Sequence, residues 1–341
     1  MENNERLYKF IYPNSNDQLL KLSGSDLCRL FDLTNTSHLE LRNRLGVDKS
    51  VTFGLEIESE SANKSQIKKL ITEMDIENVW CVGSDLSLND GIEVKTGIMT
   101  DEEETWKDVK QVCLIMDKNS KIGNNAGGHV HIGSQILGDD TNAWINFIRF
   151  WGVYENIIFR FSSGEFLTHR PHEERYSKPI AKEFLSQYGN LNSKEKNLYF
   201  LLHKFRCQDN RDFAVNLKNV ICYDPKTLKN KNTIEFRCPN GTLNPVIWQN
   251  NVNFFVKMLN YFKSSKYDSG TIDRRYRLIK KQDLSLKDYN EIYLDQMLEL
   301  CDLVFDNNLD KLYFIKQYLK SFEVYNGKDD YIDTKRKIFT E

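Results

Sequence analysis

Four short stretches of the chain alternate between apolar and polar residues with a period of two, the signature of a strand with one buried face. In Phe53–Ser59, FGLEIES, the residues Phe53, Leu55 and Ile57 share one face, and Gly54, Glu56 and Glu58 share the other. Gly91–Thr96, GIEVKT, turns Ile92 and Val94 one way and Glu93 and Lys95 the other. Gly128–Gly133, GHVHIG, separates Val130 and Ile132 from His129 and His131. Thr233–Arg237, TIEFR, separates Ile234 and Phe236 from Glu235 and Arg237. Paired into one sheet, these strands give an apolar face for a core and a face carrying Glu56, Glu58, Glu93, His129, His131, Glu235 and Arg237.

Helical periodicity fills the intervals. Ile67, Leu70, Ile71 and Met74 repeat at helical spacing. Thr100 and Glu103 form a capping box for a helix running to about Lys118. Asp139, Asp140 and Thr141 offer caps for Asn142–Phe161, which is apolar almost all round and reads as a central buried helix. Asn244-Pro245 reads as an N-cap followed by proline in the first turn of a helix through Phe262. Further helices are expected before Gly46, over Ser193–Phe205, Leu286–Phe305 and Leu309–Phe322. Strands are expected at Leu7–Tyr12, Trp80–Val82 and over Arg211–Lys218. Residues 264–285 read as a polar, basic loop, and 164–192 as a long polar loop of the kind that covers active sites. Half-apolar strands mixed irregularly with helices predict an α+β fold with a mainly antiparallel sheet. The expected organisation is an N-terminal extension or cap (1–50), a catalytic core (51–262) and a C-terminal helical segment (263–341).

Composition narrows the partners. The 341 residues are 40% hydrophobic and 28% charged, with a net charge of −2, so neither nucleic-acid nor membrane binding is expected. The most apolar run, Trp144–Phe161, contains Arg149, Glu155 and Arg160, too many charges for a membrane span. Seven cysteines show no C-x-x-C pair, and the first residues carry no apolar signal core, which together predict a cytoplasmic protein with free thiols.

The chemistry lies on the polar face. Carboxylates two apart on a strand bind Mg²⁺ or Mn²⁺ through oxygen ligands, which relieves their repulsion. The H-x-H pair suits either such a mixed His/carboxylate site or a zinc site with a third ligand. Glycines 127, 128 and 133 beside it suggest a close approach of backbone to a ligand. Arginine next to Glu235 suits bidentate contact with phosphate. No phosphate-binding glycine loop and no nucleophile elbow are present. Cys238 is expected in the core. Three readings follow: a metal-dependent ligase, a zinc-dependent hydrolase using His129, His131 and a glutamate, and a binding protein on the same sheet without catalysis.

The order of motifs is more specific than any one of them. G-x-E-x-E at Gly54, Asp85-Leu86-Ser87 followed by G-x-E at Gly91, G-x-H-V-H-I, Arg211–Leu217 and T-I-E-F-R…G-T-L-N-P resemble the amidoligase family of the glutamine synthetase and glutamate–cysteine ligase superfamily. In this chain the arginine of the fourth motif stands one residue further from its aromatic, and Leu86 replaces the usual glycine of D-G-S. The resemblance implies a curved antiparallel sheet with helices on its outer face, and an ATP- and Mg²⁺-dependent (or Mn²⁺-dependent) ligase joining small-molecule or peptide carboxylates and amines. It implies Glu56, Glu58, Glu93, His129 and Glu235 as metal ligands and Arg237 on phosphate. Glu56 and Arg237, with a loop arginine at Arg170 or Arg175, would be catalytic. His131, Arg211 and Arg170 would lie on the nucleotide side, and Ser87, Asn216 and Arg211 on the substrate side.

Overall fold

A computed structural model of the protein describes residues 10, 14–74, 80–166, 176–191, 201–202, 212–221, 232–279 and 291–322. Its strands are β1 (Phe53–Ser59), β2 (Trp80–Asp85), β3 (Gly91–Thr96), β4 (Gly128–Gly133), β5 (Val215–Asn216) and β6 (Thr233–Phe236). Its helices are α1 (Gly24–Thr36), α2 (Lys64–Glu73), α3 (Glu103–Asn119), α4 (Thr141–Ser162), α5 (Ala181–Ser186), α6 (Lys218–Ile221), α7 (Pro245–Tyr261), α8 (Ser269–Ile279), α9 (Glu291–Val304) and α10 (Asn308–Tyr318).

The strands form one open, six-stranded sheet in the order β2-β3-β1-β4-β6-β5. All its pairings are antiparallel. The fold is α+β. Register follows from the alternation, because slipping a strand by one residue would bury its charges. Phe53, Leu55, Ile57, Ile92, Val94, Val130, Ile132, Ile234 and Phe236 are all buried on one face. Helices cover that face. Trp106 of α3 stacks on Phe53 with ring centroids 5.2 Å apart. Phe236 lies between Trp151 of α4 at 5.7 Å and Phe255 of α7 at 4.0 Å. Cys238 is buried against Ser162, in the core as expected.

Helix α4 is the buried central helix, with the Asp140 side chain accepting from the Asn142 amide at its start. Helix α7 begins as its sequence predicts: Asn244 caps the Val246 amide and Pro245 follows it. The C-terminal helices join the same core, with Phe314 of α10 stacked on Phe161 of α4 at 4.4 Å. No helix among the described residues is long and apolar enough to cross a membrane.

Several boundaries differ from the sequence reading. Thr100 does not cap α3: the helix starts after Glu102, with no side-chain cap. The acid beside it, Asp101, instead accepts the Leu45 and Gly46 amides and the Trp106 indole N–H, tying residues 45–47 to the core. The stretch read as a loop at 264–285 contains helix α8, started by Asp268 accepting from the Thr271 amide. Its arginines mask a buried stripe of Thr271, Ile272 and Arg275. Among the described residues 212–218 only Val215–Asn216 is strand, because Asn216 accepts the Lys218 amide and starts α6. The long loop 164–192 includes α5. The strand expected at Leu7–Tyr12 and the helix at Ser193–Phe205 fall almost entirely outside the described residues.

Candidate active site

Four adjacent strands, β3, β1, β4 and β6, build the face opposite the apolar one. Register brings its ionisable groups side by side. Glu56 stands opposite Lys95 on one side and His129 on the other. Glu58 stands opposite Glu93, and His131 opposite Glu235. Asn216 on β5 extends the last row beyond Glu235. Direct cross-strand neighbours lie within side-chain reach of one another.

The contacts are correspondingly short. Glu56 Oε2 is 2.6 Å from His129 Nδ1, and Glu56 Oε1 is 3.2 Å from His131 Nε2. His131 Nε2 is buried, with Glu56 Oε1 as its ion-pair neighbour. His129 also lies 3.6 Å from both Glu58 Oε1 and Glu235 Oε1. Glu58 Oε2 accepts the Gly127 amide at 2.6 Å. Glu235 accepts from Arg237 Nη1 at 2.6 Å through Oε1 and from Asn216 Nδ2 at 2.7 Å through Oε2. Arg237 Nε donates to the Tyr176 carbonyl at 3.2 Å, so the described end of the long loop meets the site there.

Charge in this enclosure shifts the acids in opposite directions. Burial raises the pKa of Glu56, but His129 and His131 outweigh it and hold the carboxyl well below its usual range. Glu235 is also lowered: burial opposes ionisation, and His129, His131 and Arg237 favour it more. Glu93 is pushed up to about 7, by burial first and by the neighbouring Glu56, with Lys95 opposing. Such divergence among neighbouring acids is characteristic of functional sites.

Three groups of side chains place ligand atoms within 4.8 Å of one another: Glu56–Glu93–His129, Glu56–His131–Glu235 and Glu58–Asp85–Glu93. Their donors are carboxylate oxygens and imidazole nitrogens with no thiolate, a set that fits Mg²⁺ or Mn²⁺. The buried nitrogen of His131, whose neighbour is the Glu56 carboxylate, is the kind of atom that ligates a cation. Among the described residues no such group contains both histidines.

The five acids and imidazoles expected on one ion-binding face, Glu56, Glu58, Glu93, His129 and Glu235, are thus together. His131, Arg237 and Asn216 join them. Ser87 lies at the rim, hydrogen-bonded through its amide and hydroxyl to Asp85 Oδ1. Arg170, Arg175 and Arg211 lie outside the described residues. The glycines around the H-x-H pair have another explanation. A Cβ on Gly128 would sit 2.2 Å from the Trp248 ring, and one on Gly133 would meet Gln135 and Thr52. Both positions accommodate the protein's own side chains.

Asp85 and Lys95 were not assigned a role from sequence. Ending β2 at Val82 hid Asp85, since the strand runs to Asp85 and places it on the face of Glu93. Gly83 is opposite Glu93, and a Cβ there would meet only the Glu93 carbonyl at 3.7 Å. Bare backbone therefore floors the site between the two acids.

Residues 25–259, more than half of the sequence, match the profile of a family described as "putative amidoligase enzyme". The chain belongs to the amidoligase family. No curated protein matches it. The matched span takes in all of the strands and the helices α2 to α6, with most of α1 and α7. Membership supports an enzyme that forms amide bonds, and every acid, imidazole and arginine of the candidate site falls within the span.

Proposed function

We propose that this amidoligase is an ATP- and Mg²⁺-dependent carboxylate–amine ligase, forming an amide or isopeptide bond through an acyl phosphate. The observation that carries the reading is the convergence of Glu56, Glu58, Glu93, Glu235, His129, His131 and Arg237 on one face of the sheet. Glu56, Glu58, Glu93, His129 and Glu235 hold the divalent cations. Bound ATP supplies the phosphoryl group, and the cations neutralise its charge during transfer.

The chain's own groups do the positioning. Glu235 holds the Arg237 guanidinium through one oxygen, and Asn216 fixes the other oxygen. The guanidinium fork is thereby oriented along the face, where it clamps phosphate oxygens as charge builds on them. Ser87 and Asn216 contact the acceptor substrates from the two ends of the strand array. Arg170 or Arg175, and Arg211, are assigned to the nucleotide side. The amine then displaces phosphate from the activated acyl group, which requires that water be kept out. The segment at Tyr176 meets the site and is suited to that exclusion.

A zinc hydrolase on His129, His131 and one glutamate would place both imidazoles on one ion. Their ligand atoms instead belong to separate groups among the described residues.

Product analysis tests the proposal. Incubation with ATP and pools of carboxylates and amines is expected to yield ADP, phosphate and an amide. Oxygen-18 in the substrate carboxylate is expected in the released phosphate, because the attacking oxygen stays with phosphorus. AMP as product, or phosphate free of label, would exclude the acyl-phosphate route.

A further inference from the structure

Glu155 is an acid buried on the central helix α4, and it takes no part in the chemistry described above. Trp151 Nε1 and the Ile180 amide both donate to its Oε1 at 2.7 Å, and the Ala181 amide donates to its Oε2 at 2.9 Å. Helix α5 starts at Ala181, and its N-cap residue, Ile180, has no side-chain acceptor. Glu155 supplies that acceptor from another helix. Burial pushes its carboxyl up to about 7, with the three donors opposing. A neutral acceptor would avoid this desolvation.

The backbone just before these amides leads to the candidate site. The Lys178 amide donates to the Asp212 carbonyl at 2.7 Å, and the Lys178 carbonyl accepts from the Ala214 amide at 2.8 Å, a parallel bridge between Lys178 and Phe213. The Ala214 carbonyl in turn accepts the Arg237 amide at 2.8 Å. Two residues before Lys178, the Tyr176 carbonyl accepts from Arg237 Nε. Residues 176–181 therefore run from the guanidinium to Glu155, with one strand bridge between. Trp151 closes the circuit, since its ring stacks on Phe236, the residue before Arg237.

We infer that Glu155 is a positioning residue for Arg237: it anchors residues 176–181 so that the Tyr176 carbonyl holds the guanidinium in the orientation that meets phosphate. The inference rests on the ligase reading and adds a residue that sets the phosphate clamp from the core. The guanidinium is held by Glu235 at Nη1 and by Tyr176 at Nε. Two bonds to different nitrogens fix the plane of the fork, so a shift of the carbonyl turns it. The carboxylate is specifically suited to the anchoring. Each of its oxygens faces a backbone N–H, and glutamine would set an NH₂ group against one of them.

The test is calorimetric binding of adenylyl imidodiphosphate, a non-hydrolysable ATP analogue, with Mg²⁺ to the full-length protein, at a pH where Glu155 is ionised. Glu155→Gln is expected to bind the analogue about tenfold more weakly than the parent, the scale of weakening one charge-assisted hydrogen bond. Its affinity for Mn²⁺ without nucleotide should equal the parent's, which a general loosening of the fold would not preserve. Glu155→Asp keeps the charge but ends one methylene short of the two amides, and is expected to show the same loss. In an Arg237→Lys background neither substitution should weaken binding further, because the group they act through is gone. Parent-like affinity in both Glu155 variants would overturn the inference and leave the ligase reading intact. So would a further loss in the Arg237→Lys background, or weakened Mn²⁺ binding in the single variants. A parent that does not bind the analogue would overturn both.

Discussion

Arg237 and Glu235 lie on the same side of the end of β6 and share a 2.6 Å hydrogen bond, while the same guanidinium reaches the Tyr176 carbonyl through Nε. One side chain thus joins the acid row of the sheet to the segment at Tyr176. Arg237→Lys keeps the charge but cannot bridge both partners and clamp phosphate at once. Turnover is expected to fall roughly 100-fold, in the range for losing one well-placed donor to developing charge. The melting temperature should stay close to the parent's. Near-normal turnover would restrict Arg237 to pairing with Glu235.

Cation binding should stabilise the protein through Glu56. Saturating Mg²⁺ or Mn²⁺ is expected to raise the melting temperature above that in EDTA, as for any ligand that binds only the folded state. Glu56→Gln should remove most of the rise, because Glu56 belongs to two of the three ligand groups among the described residues. Glu58→Gln should reduce it and melt close to the parent in EDTA, because the amide oxygen can still accept from Gly127. A large loss of stability in EDTA for Glu58→Gln would make that acid structural.

The raised pKa of Glu93 gives a pH dependence with a definite sign. The folded protein holds this proton up to about 7, whereas the ordinary value is 4.5. Over that window the folded state binds more protons than the unfolded one, so this group's contribution falls as pH rises. It is fully present below 4.5 and lost above about 7. Melting curves in EDTA should therefore show the parent losing stability relative to Glu93→Gln across the window, with no divergence beyond it. Superimposable profiles would show that Glu93 titrates normally. Because bound cations require the ionised acid, Mn²⁺ affinity should rise over the same interval with release of a proton.

At the C-terminal end of α4, Lys320 is buried with its ammonium against the last turn of the helix. It donates to the Arg160 carbonyl, to Ser163 Oγ at 2.7 Å and to the Gly164 carbonyl at 3.0 Å. Burial pulls its pKa well below the ordinary lysine value. Lys320→Met removes three donated hydrogen bonds at once and should cost about 3 kcal/mol in urea unfolding, the scale for buried acceptors left unsatisfied. Turnover per folded molecule should not change, which distinguishes a core role from a catalytic one.

The polar face was legible because period two is hard to disguise. Glu56, Glu58, Glu93, His129, His131, Glu235 and Arg237 each stand next to a buried aliphatic or aromatic neighbour, so their side of the sheet follows from alternation alone. What the sequence hid has particular causes. Asp85 ends a strand whose β2 residues include Gly83 and Ser84, where no apolar alternation marks the continuation. Helix α8 buries Arg275 against Glu299, so a core position is filled by an ion pair that reads as solvent-exposed. Asp101 resembles part of a helix start, yet serves a backbone segment more than fifty residues earlier. Long-range polar contacts of this kind leave no local periodicity.

Strand β6 lies between β4 and β5 in space, but its residues are separated from β4 by about a hundred positions of chain. Synthesis therefore delivers the site in instalments. Glu56, Glu93 and His129 can pair across β1, β3 and β4 while β6 is still to be made, and such shorter-range pairings form first when loop closure limits the rate. Glu235 and Arg237 arrive last. A nascent chain thus passes through a stage in which it has a cation-binding half-site and an open sheet edge at β4, the kind of edge that pairs with other chains. Lys95, already placed between Glu56 and Glu93, would balance their charge during that interval, before the strand carrying the arginine exists.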